Sequence, residues 1–145
     1  MSHMFQNMKF LTSLNVSSWD TSSVGDMSYM FENSSNLADL NVSRWDTSSV
    51  NNMSHLFDSC NALADLDVSH WDTSSVNDMS YMFYNCWGLT KLNLGSFVTN
   101  GVTNMNSMFA GCQNLRTIYV TTGFSVANLG KKMDVDMFYG CRSIV

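Results

Sequence analysis

Hydrophobic residues recur along this chain at a fixed spacing of 26, the distance from Met1 to Met27, which indicates a protein built from internal repeats. A methionine begins each unit, at Met1, Met27, Met53, Met79 and Met105. The aromatic residues that follow in phase are Phe5, Phe31, Phe57, Phe83 and Phe109, and then Trp19, Trp45, Trp71 and Phe97. After Val120 an insertion of three residues shifts the phase, so that Phe138 matches Phe109.

Within one unit, two hydrophobic periods alternate. Met27, Met30 and Phe31 have the i, i+3, i+4 spacing of a helical face, which predicts a short helix over 27–32. Residues suited to a helix N-cap precede this segment, at Asp26, Asn52, Asp78 and Asn104. Residues suited to a left-handed C-cap follow it, at Asn33, Asn85, Gly111 and Gly140. Further on, apolar residues two apart with polar neighbours, such as Val42 after Leu40, predict a short strand.

A unit of one strand, one turn and one short helix is too small to bury its own apolar face. We therefore predict an α/β repeat fold in which 26-residue coils stack and their strands pair in parallel into one long sheet. Like residues would form structural ladders along the axis, which are Trp19, Trp45 and Trp71, and Phe31, Phe57, Phe83 and Phe109. The prediction is a single domain, 1–145, of about five and a half repeats, with a degenerate last unit at 121–145.

The repeated phrase resembles a known family of bacterial surface-protein repeats. The consensus of the copies reads Leu-x-x-Leu-Asn-Val-Ser-x-Trp-Asp-Thr-Ser-Ser-Val, followed by Met-Ser-x-Met-Phe, and this is similar to the BspA-like leucine-rich repeats. The resemblance covers 1–120 and, in degenerate form, the remainder. It implies a right-handed leucine-rich-repeat solenoid on secreted or wall-anchored proteins, some of which bind host matrix or other cells. The fourth unit departs from the phrase after Leu94, and the fifth departs further.

Charge and composition narrow the choice of partners. Seven Lys and Arg stand against twelve Asp and Glu, a net charge of −5, so the chain lacks a basic patch for nucleic acid or an anionic membrane. No apolar run approaches the length of about 18 residues that a membrane span requires, and we expect no membrane insertion. Because Met1 is already in repeat phase, we expect the chain to be a fragment of a larger secreted protein.

Four cysteines share one repeat position, Cys60, Cys86, Cys112 and Cys141, where the second unit has Ser34. We favour a stack of buried thiols at this position, and a disulfide between adjacent coils is the alternative. Metal is disfavoured because zinc ligands usually come in close pairs such as Cys-x-x-Cys, which the sequence lacks. We expect no metal and no cofactor.

The repeated phrase contains a column of tryptophans and a column of aspartates, and each column has two possible roles. For the three tryptophans we favour packing between coils, with each indole N–H bonded to a turn carbonyl, over a platform that stacks on carbohydrate. Asp20, Asp46 and Asp72 form a second column. We favour a turn in which Asp20 accepts the N–H groups of Ser22 and Ser23, and a Ca²⁺ column is the alternative.

The histidines and serines, which often act in catalysis, have counterparts at the same positions of other repeat units. His3, His55 and His70 stand where other units carry Tyr, Arg or Ser, so we interpret them as surface residues. Every serine has a twin in a neighbouring repeat, which argues against one specialised nucleophile. Most of the twelve methionines lie at ladder positions, which favours core filling over a pliable binding surface. We predict that the chain is not an enzyme.

The outer face of the predicted sheet is the remaining candidate site, because its residues vary between units while the core ladders stay constant. Variation on a fixed scaffold is what a recognition surface needs. The candidate ligand-binding residues are Asp39, Asn41, Asp65, Asp67, Lys91, Asn93 and Tyr119. A solvated face without any partner is the alternative.

From this face we predict a non-catalytic adhesion or interaction module, outside the cell, on a bacterial surface. It would bind a protein or glycan of a host or neighbouring cell. The alternative function is a structural stalk, a repeat segment that associates end to end through apolar ends at Phe5 and Met137 and has no ligand of its own.

Overall fold

The structure, a computed structural model, describes residues 1–129 and 136–144. The repeat units form coils that stack on one another in register. The coils are numbered by their first residues: coil 1 from Met1, coil 2 from Met27, coil 3 from Met53, coil 4 from Met79 and coil 5 from Met105. Residues 136–144 belong to coil 6. Of the degenerate last unit predicted at 121–145, residues 130–135 and 145 lie outside the described residues.

Four short strands lie in two separate two-stranded sheets. β1 (Ser13–Leu14) pairs in parallel with β2 (Asp39–Leu40). β3 (Lys91–Leu94) pairs in parallel with β4 (Thr117–Val120). In both sheets each residue pairs with the residue one repeat later, as β1 and β2 show with partners at 13 and 39. The predicted parallel pairing of neighbouring coils is therefore confirmed for these strands.

The prediction of one long sheet is wrong for the described part of the chain, because coil 3 contributes no strand between β2 and β3. Asp65 of coil 3 stands one repeat after Asp39, the first residue of β2. Two carboxylates directly opposite each other on paired strands repel and weaken the pairing. Such a carboxylate pair disfavours strand pairing on the β2 side of coil 3.

The predicted α/β solenoid with a helix in every coil is also wrong, because residues 1–129 and 136–144 contain no helix. The segment 27–34, which includes the predicted helix, is a series of tight turns. The Met30 N–H donates to the Met27 carbonyl and the Ser34 N–H to the Phe31 carbonyl, three residues back rather than the four of an α-helix. The fold is therefore not the strand-and-helix coil that the leucine-rich-repeat resemblance implies.

Left-handed backbone residues explain why this segment turns. Tyr29 has a φ of 58° and Asn33 a φ of 57°, each at the third position of its turn, where a type II turn requires a positive φ. A right-handed helix does not accommodate such residues. The equivalents with positive φ are His3, His55, Tyr81 and Ser107 at the first position, and Asn7, Ser59, Asn85, Gly111 and Gly140 at the second. The left-handed conformation predicted after the segment is confirmed, although these residues lie in turns and cap no helix.

The turns leave alternate N–H groups free to bond to the next coil. In coil 2 the N–H groups of Tyr29, Phe31 and Asn33 donate to carbonyls of coil 3 at 2.8–3.0 Å. In an α-helix the N–H groups past the first turn bond within the helix. Bonds between coils therefore replace the bonds of the predicted helix.

The residues predicted as helix N-caps begin these turns instead. Asp26 Oδ1 accepts the Ser28 N–H at 2.8 Å, and Asn52 Oδ1 accepts the Ser54 N–H at 2.9 Å. Parallel bridges also join this position across four coils, pairing Asp26 with Asn52, Asn52 with Asp78, and Asp78 with Asn104. These Asp and Asn side chains therefore make the hydrogen bond expected of a helix N-cap, but the backbone that follows them is a turn.

The core consists of ladders of like residues. Phe31, Phe57, Phe83 and Phe109 are fully buried, and neighbouring rings in this ladder stack with centroids 5.7–5.8 Å apart. Phe138 of coil 6 stacks on Phe109 at 5.4 Å, which confirms the three-residue shift inferred from the sequence.

The tryptophan ladder packs between coils as predicted. Trp45 and Trp71 are buried and stack with ring centroids 6.2 Å apart. Their indole N–H groups donate to the carbonyls of Val16 and Val42, at 3.2 Å and 3.1 Å. Trp19, in coil 1, is half-buried and packs on Phe5 with ring centroids 5.7 Å apart.

Candidate binding face

Two columns of exposed side chains run along the strand side of the stack, and we call this surface the strand face. The first column is Ser13, Asp39, Asp65, Lys91 and Thr117, and the second is Asn15, Asn41, Asp67, Asn93 and Tyr119. Strand pairing sets the register at both ends, with Ser13 beside Asp39 and Asn93 beside Tyr119. All seven candidate residues predicted from the sequence therefore lie together on one exposed surface.

Concave hollows follow this face from coil 1 to coil 5. The largest of those on this face, which we call the central groove, encloses ≈ 350 Å³ and is lined by Asp65, Asp67, Lys91, Asn93 and Tyr119, with Leu66, Leu92 and Ser69. The Tyr119 side chain in this lining is 60% exposed. Two smaller hollows of ≈ 280 Å³ and ≈ 250 Å³ continue along the face past Asn41 and Asp39.

The second column has a structural role that the sequence analysis missed. Asp67 Oδ1 accepts the N–H of Ser69 at 3.0 Å, and Asn93 Oδ1 accepts the N–H of Gly95 at 3.0 Å. Asn41 Oδ1 accepts the N–H of the serine two residues later, at 3.2 Å. Asn and Asp alternate at this position because both supply an Oδ acceptor. Their variation between coils therefore reflects the turn as well as the surface.

Hydrogen bonds in the central groove favour the ionised form of Asp67. The Ser69 hydroxyl, 2.7 Å from Asp67 Oδ1, lowers the pKa of Asp67, and the Ser69 N–H lowers it further, while slight burial opposes them. The Asp67 and Asp65 carboxylates line the groove together with Lys91. Among the described residues, no carboxylate lies within ion-pair distance of Lys91. The groove therefore offers both carboxylate acceptors and a cationic donor to a ligand.

The aspartate column of the repeated phrase forms the predicted turns. Asp20 Oδ1 accepts the Ser22 N–H at 3.1 Å, and Asp46 makes the same bond to Ser48 at 3.0 Å. The serine hydroxyl and then the N–H lower the pKa of each of these carboxyls. The predicted turn is confirmed at these positions, with the i+2 serine rather than Ser23 as the donor.

The cysteines form the buried thiol stack that was favoured over a disulfide. All four are free, and each Sγ–H donates to the carbonyl of a phenylalanine in the preceding coil, as Cys86 does to Phe57 at 3.0 Å. Ser34 makes the equivalent bond to Phe5 at 2.8 Å. Burial raises the pKa of Cys86 well above that of an ordinary thiol and raises the pKa of Cys112 to about 12.

The histidines occupy two different settings. His3 and His70 are exposed, as predicted. The prediction of a plain surface position is wrong for His55, which is half-buried and lies 2.8 Å from Asp58. Glu32, His55 and Asp58 also form a trio of side chains that could hold a metal ion within the described ranges, and none of the three belongs to the strand face. The sequence analysis missed this trio because it joins two equivalent residues of coils 2 and 3, Glu32 and Asp58, to a histidine at another repeat position.

The apolar ends differ from the prediction. Met137 is buried, only 2% exposed, and Phe5 is half-buried. The exposed apolar residues at the coil 6 end include Phe138, which lines a hollow of ≈ 440 Å³ with Phe109 and Ile118. This hollow is larger than the central groove, but apart from Arg116 and Thr117 its lining is apolar, which leaves few polar groups to orient a ligand.

No helix long and apolar enough to cross a membrane occurs in residues 1–129 and 136–144.

Coils stacked in register, like residues in ladders and one variable polar face define a repeat protein. Residues 1–123 match the family described as "Mycoplasma protein of unknown function, DUF285", and the chain belongs to this family. No curated protein and no solved structure matches the chain.

Proposed function

We propose that this chain is a non-catalytic interaction module that binds a protein or glycan across its strand face. The central groove carries the proposal, because it gathers variable exposed side chains on a scaffold whose buried positions repeat. The resemblance of the repeated phrase to BspA-like surface proteins supports a place on a bacterial cell surface. The partner would then belong to a host or to a neighbouring cell.

The chemistry of the groove suits hydroxyl-rich or mixed polar ligands. Asp65 and the free oxygen of Asp67 accept hydrogen bonds, and Lys91 donates them. The ring of Tyr119 offers an apolar face with a polar tip, a combination that is enriched at binding interfaces. Because Asp67 and Asn93 are fixed by their turns, the groove is largely pre-formed, which lowers the entropy cost of binding.

The test exploits the repeat, since neighbouring coils supply substitutions that the fold already accepts. Asp65→Ser places in coil 3 the residue that coil 1 carries as Ser13, and Tyr119→Asn places in coil 5 the residue that coil 4 carries as Asn93. Wild type would be screened on immobilised glycans and host matrix proteins, and the bound partner measured by surface plasmon resonance. We expect the double variant to lose about tenfold or more in affinity, as hot-spot residues do.

A matched control lies outside the groove. Arg44→Ser restores the residue that coil 1 carries as Ser18, and it should leave affinity unchanged. Equal binding by wild type and the double variant would place the partner elsewhere and overturn the proposal. Failure of wild type to bind any member of the panel would favour a face without a ligand.

A second candidate, end-to-end self-association, is favoured by apolar exposure near the two ends of the stack. Phe10 of coil 1 is 96% exposed, and Val120 and Phe138 near the other end are 50% and 42% exposed. Exposed large apolar groups in a patch mark association surfaces. Sedimentation velocity at rising protein concentration separates the candidates, because only self-association increases the sedimentation coefficient without an added partner.

A further inference from the structure

A column of stacked rings runs along the turn side of coils 1 to 4. His3, Tyr29, His55 and Tyr81 occupy one repeat position, and their neighbouring ring centroids lie 4.7, 4.5 and 4.5 Å apart. The rings are nearly parallel, with interplanar angles of 7°, 10° and 11°. His55 is therefore held on both faces by tyrosines, which fixes the direction of its ring nitrogens before any ligand arrives.

A second column, three residues later in each coil, brings carboxylates to this imidazole. Its members in coils 1 to 4 are Gln6, Glu32, Asp58 and Tyr84. In coil 3, His55 Nδ1 lies 2.8 Å from Asp58 Oδ2, and Glu32 of coil 2 lies one coil away. One ligand atom from each of the three side chains lies within 4.8 Å of the other two.

This trio differs from a surface group of acids in donor type and in burial. It combines one imidazole nitrogen with two carboxylate oxygens, the mixed set that suits Zn²⁺ and related divalent ions, whereas Ca²⁺ prefers six to eight oxygens. Asp58 is buried, and Glu32 and His55 are half-buried. Gln6 Nε2 donates to Glu32 Oε2, which orients that carboxylate and leaves its other oxygen available.

We propose that Glu32, His55 and Asp58 bind a divalent transition-metal ion, of which Zn²⁺ is the probe. Three protein donors leave a fourth position for water, as in open zinc sites. A bound ion would replace the direct contact of His55 with Asp58 and would join coil 2 to coil 3. The site is separate in residues from the central groove, so it does not depend on the proposed function.

The first test is isothermal titration of the intact chain with Zn²⁺, with His55→Tyr as the variant. Tyrosine is the residue that coils 2 and 4 carry at this position, so the ring column should survive. We expect wild type to bind one ion and the variant to lose about tenfold or more in affinity, since even outer-shell losses cost about 10–100-fold. His3→Tyr is the matched control and should bind as wild type, because His3 faces the Gln6 amide rather than a carboxylate.

A second variant separates metal binding from the ion pair alone. Glu32→Gln copies Gln6 of coil 1 and leaves His55 and Asp58 intact, and it should also weaken Zn²⁺ binding by about tenfold or more. Zinc should raise the melting temperature of wild type but not of these two variants. Absence of zinc binding to wild type, or equal binding by the variants, would show that the trio is an ion pair only and would overturn the proposal.

Discussion

At the scale of single residues, the structure explains which substitutions the repeat tolerates. The thiols of four coils and the hydroxyl of Ser34 all donate to a phenylalanine carbonyl one coil earlier, so Cys and Ser interchange as small buried donors. Asn and Asp interchange in the second column of the strand face because each supplies the Oδ acceptor of a turn. In both cases the constant feature is a hydrogen bond, and the side chain that makes it varies.

The thiol stack leads to a prediction about reactivity. Alkylation requires the thiolate, and burial raises the pKa values of all four thiols, with that of Cys112 raised to about 12. Cys141 is half-buried while the other three are buried. With iodoacetamide at about pH 8, mass spectrometry should detect one fast adduct, at Cys141, and the other three thiols should react only after denaturation.

The control for this prediction is Cys141→Ser, which keeps a donor to the Phe109 carbonyl and should remove the fast adduct. Rapid modification of Cys86 in the folded protein would contradict the buried stack.

At the scale of elements, the main question is why the segment that begins at Met27 forms a run of turns and not a helix. Met27, Met30 and Phe31 have a spacing that fits both, because i, i+3 and i+4 residues share one side of either. The left-handed residues at the third positions of the turns, Tyr29 and Asn33, exclude a continuous helix. The bonds gained are those to the next coil, which a short helix would not make.

The positive φ of Asn33 predicts that valine and glycine substitutions at this position differ in their effect on stability. Asn33→Val puts a β-branched side chain at a φ of 57° and removes the bond from Asn33 Nδ2 to Asn7 Oδ1. It should lower the free energy of unfolding by about 1–2 kcal/mol in urea denaturation. Asn33→Gly, which copies Gly111, loses the same bond without strain and should stay within about 1 kcal/mol of wild type. If valine proved as well tolerated as glycine, the turn would be wrongly assigned.

At the scale of the whole molecule, each coil is the packing surface of the next. Phenylalanines and tryptophans stack on their own kind along the axis, and the backbone bonds run between equivalent positions of neighbouring coils. Stability in such a stack depends on register, because a shifted coil would place polar groups against buried ladders. Removal of a complete coil should therefore be tolerated far better than removal of part of one.

We predict that deletion of 53–78, which joins Asn52 directly to Met79, yields a folded protein with one coil fewer. The new junction repeats the natural step from Asn52 to Met53. Its denaturant m-value should fall by roughly a fifth, since m scales with the surface exposed on unfolding. Deletion of 53–65 alone removes half a coil and should abolish cooperative unfolding and amide dispersion in NMR spectra. Equal stability of the two deletions would contradict stacking in register.

The predicted fold class was wrong, but the contacts between coils and part of the candidate site could be predicted from the sequence. The repeat spacing identified which residues meet, including Phe138 beside Phe109, because stacking puts like residues in contact whatever their local backbone. The seven strand-face residues were placed together for the same reason. The trio at His55 could not be predicted this way, since His55 belongs to a different repeat position from the two carboxylates, and their approach depends on the path of the turns. The binding function and the absence of catalysis stay predictions.

Recurring residue types in the chain were enough to identify the repeat, the phase shift after Val120 and the membership of each ladder, because like residues meet in a stack. The path of the backbone between those positions depends on contacts that exist only in the folded protein. Whether the N–H of Phe31 bonds within its own segment or to Leu56 depends on a neighbouring coil that supplies the carbonyl. Local spacing is the same in both cases, so contact between coils, and not propensity, selects turns over helices and ends the sheet at coil 3.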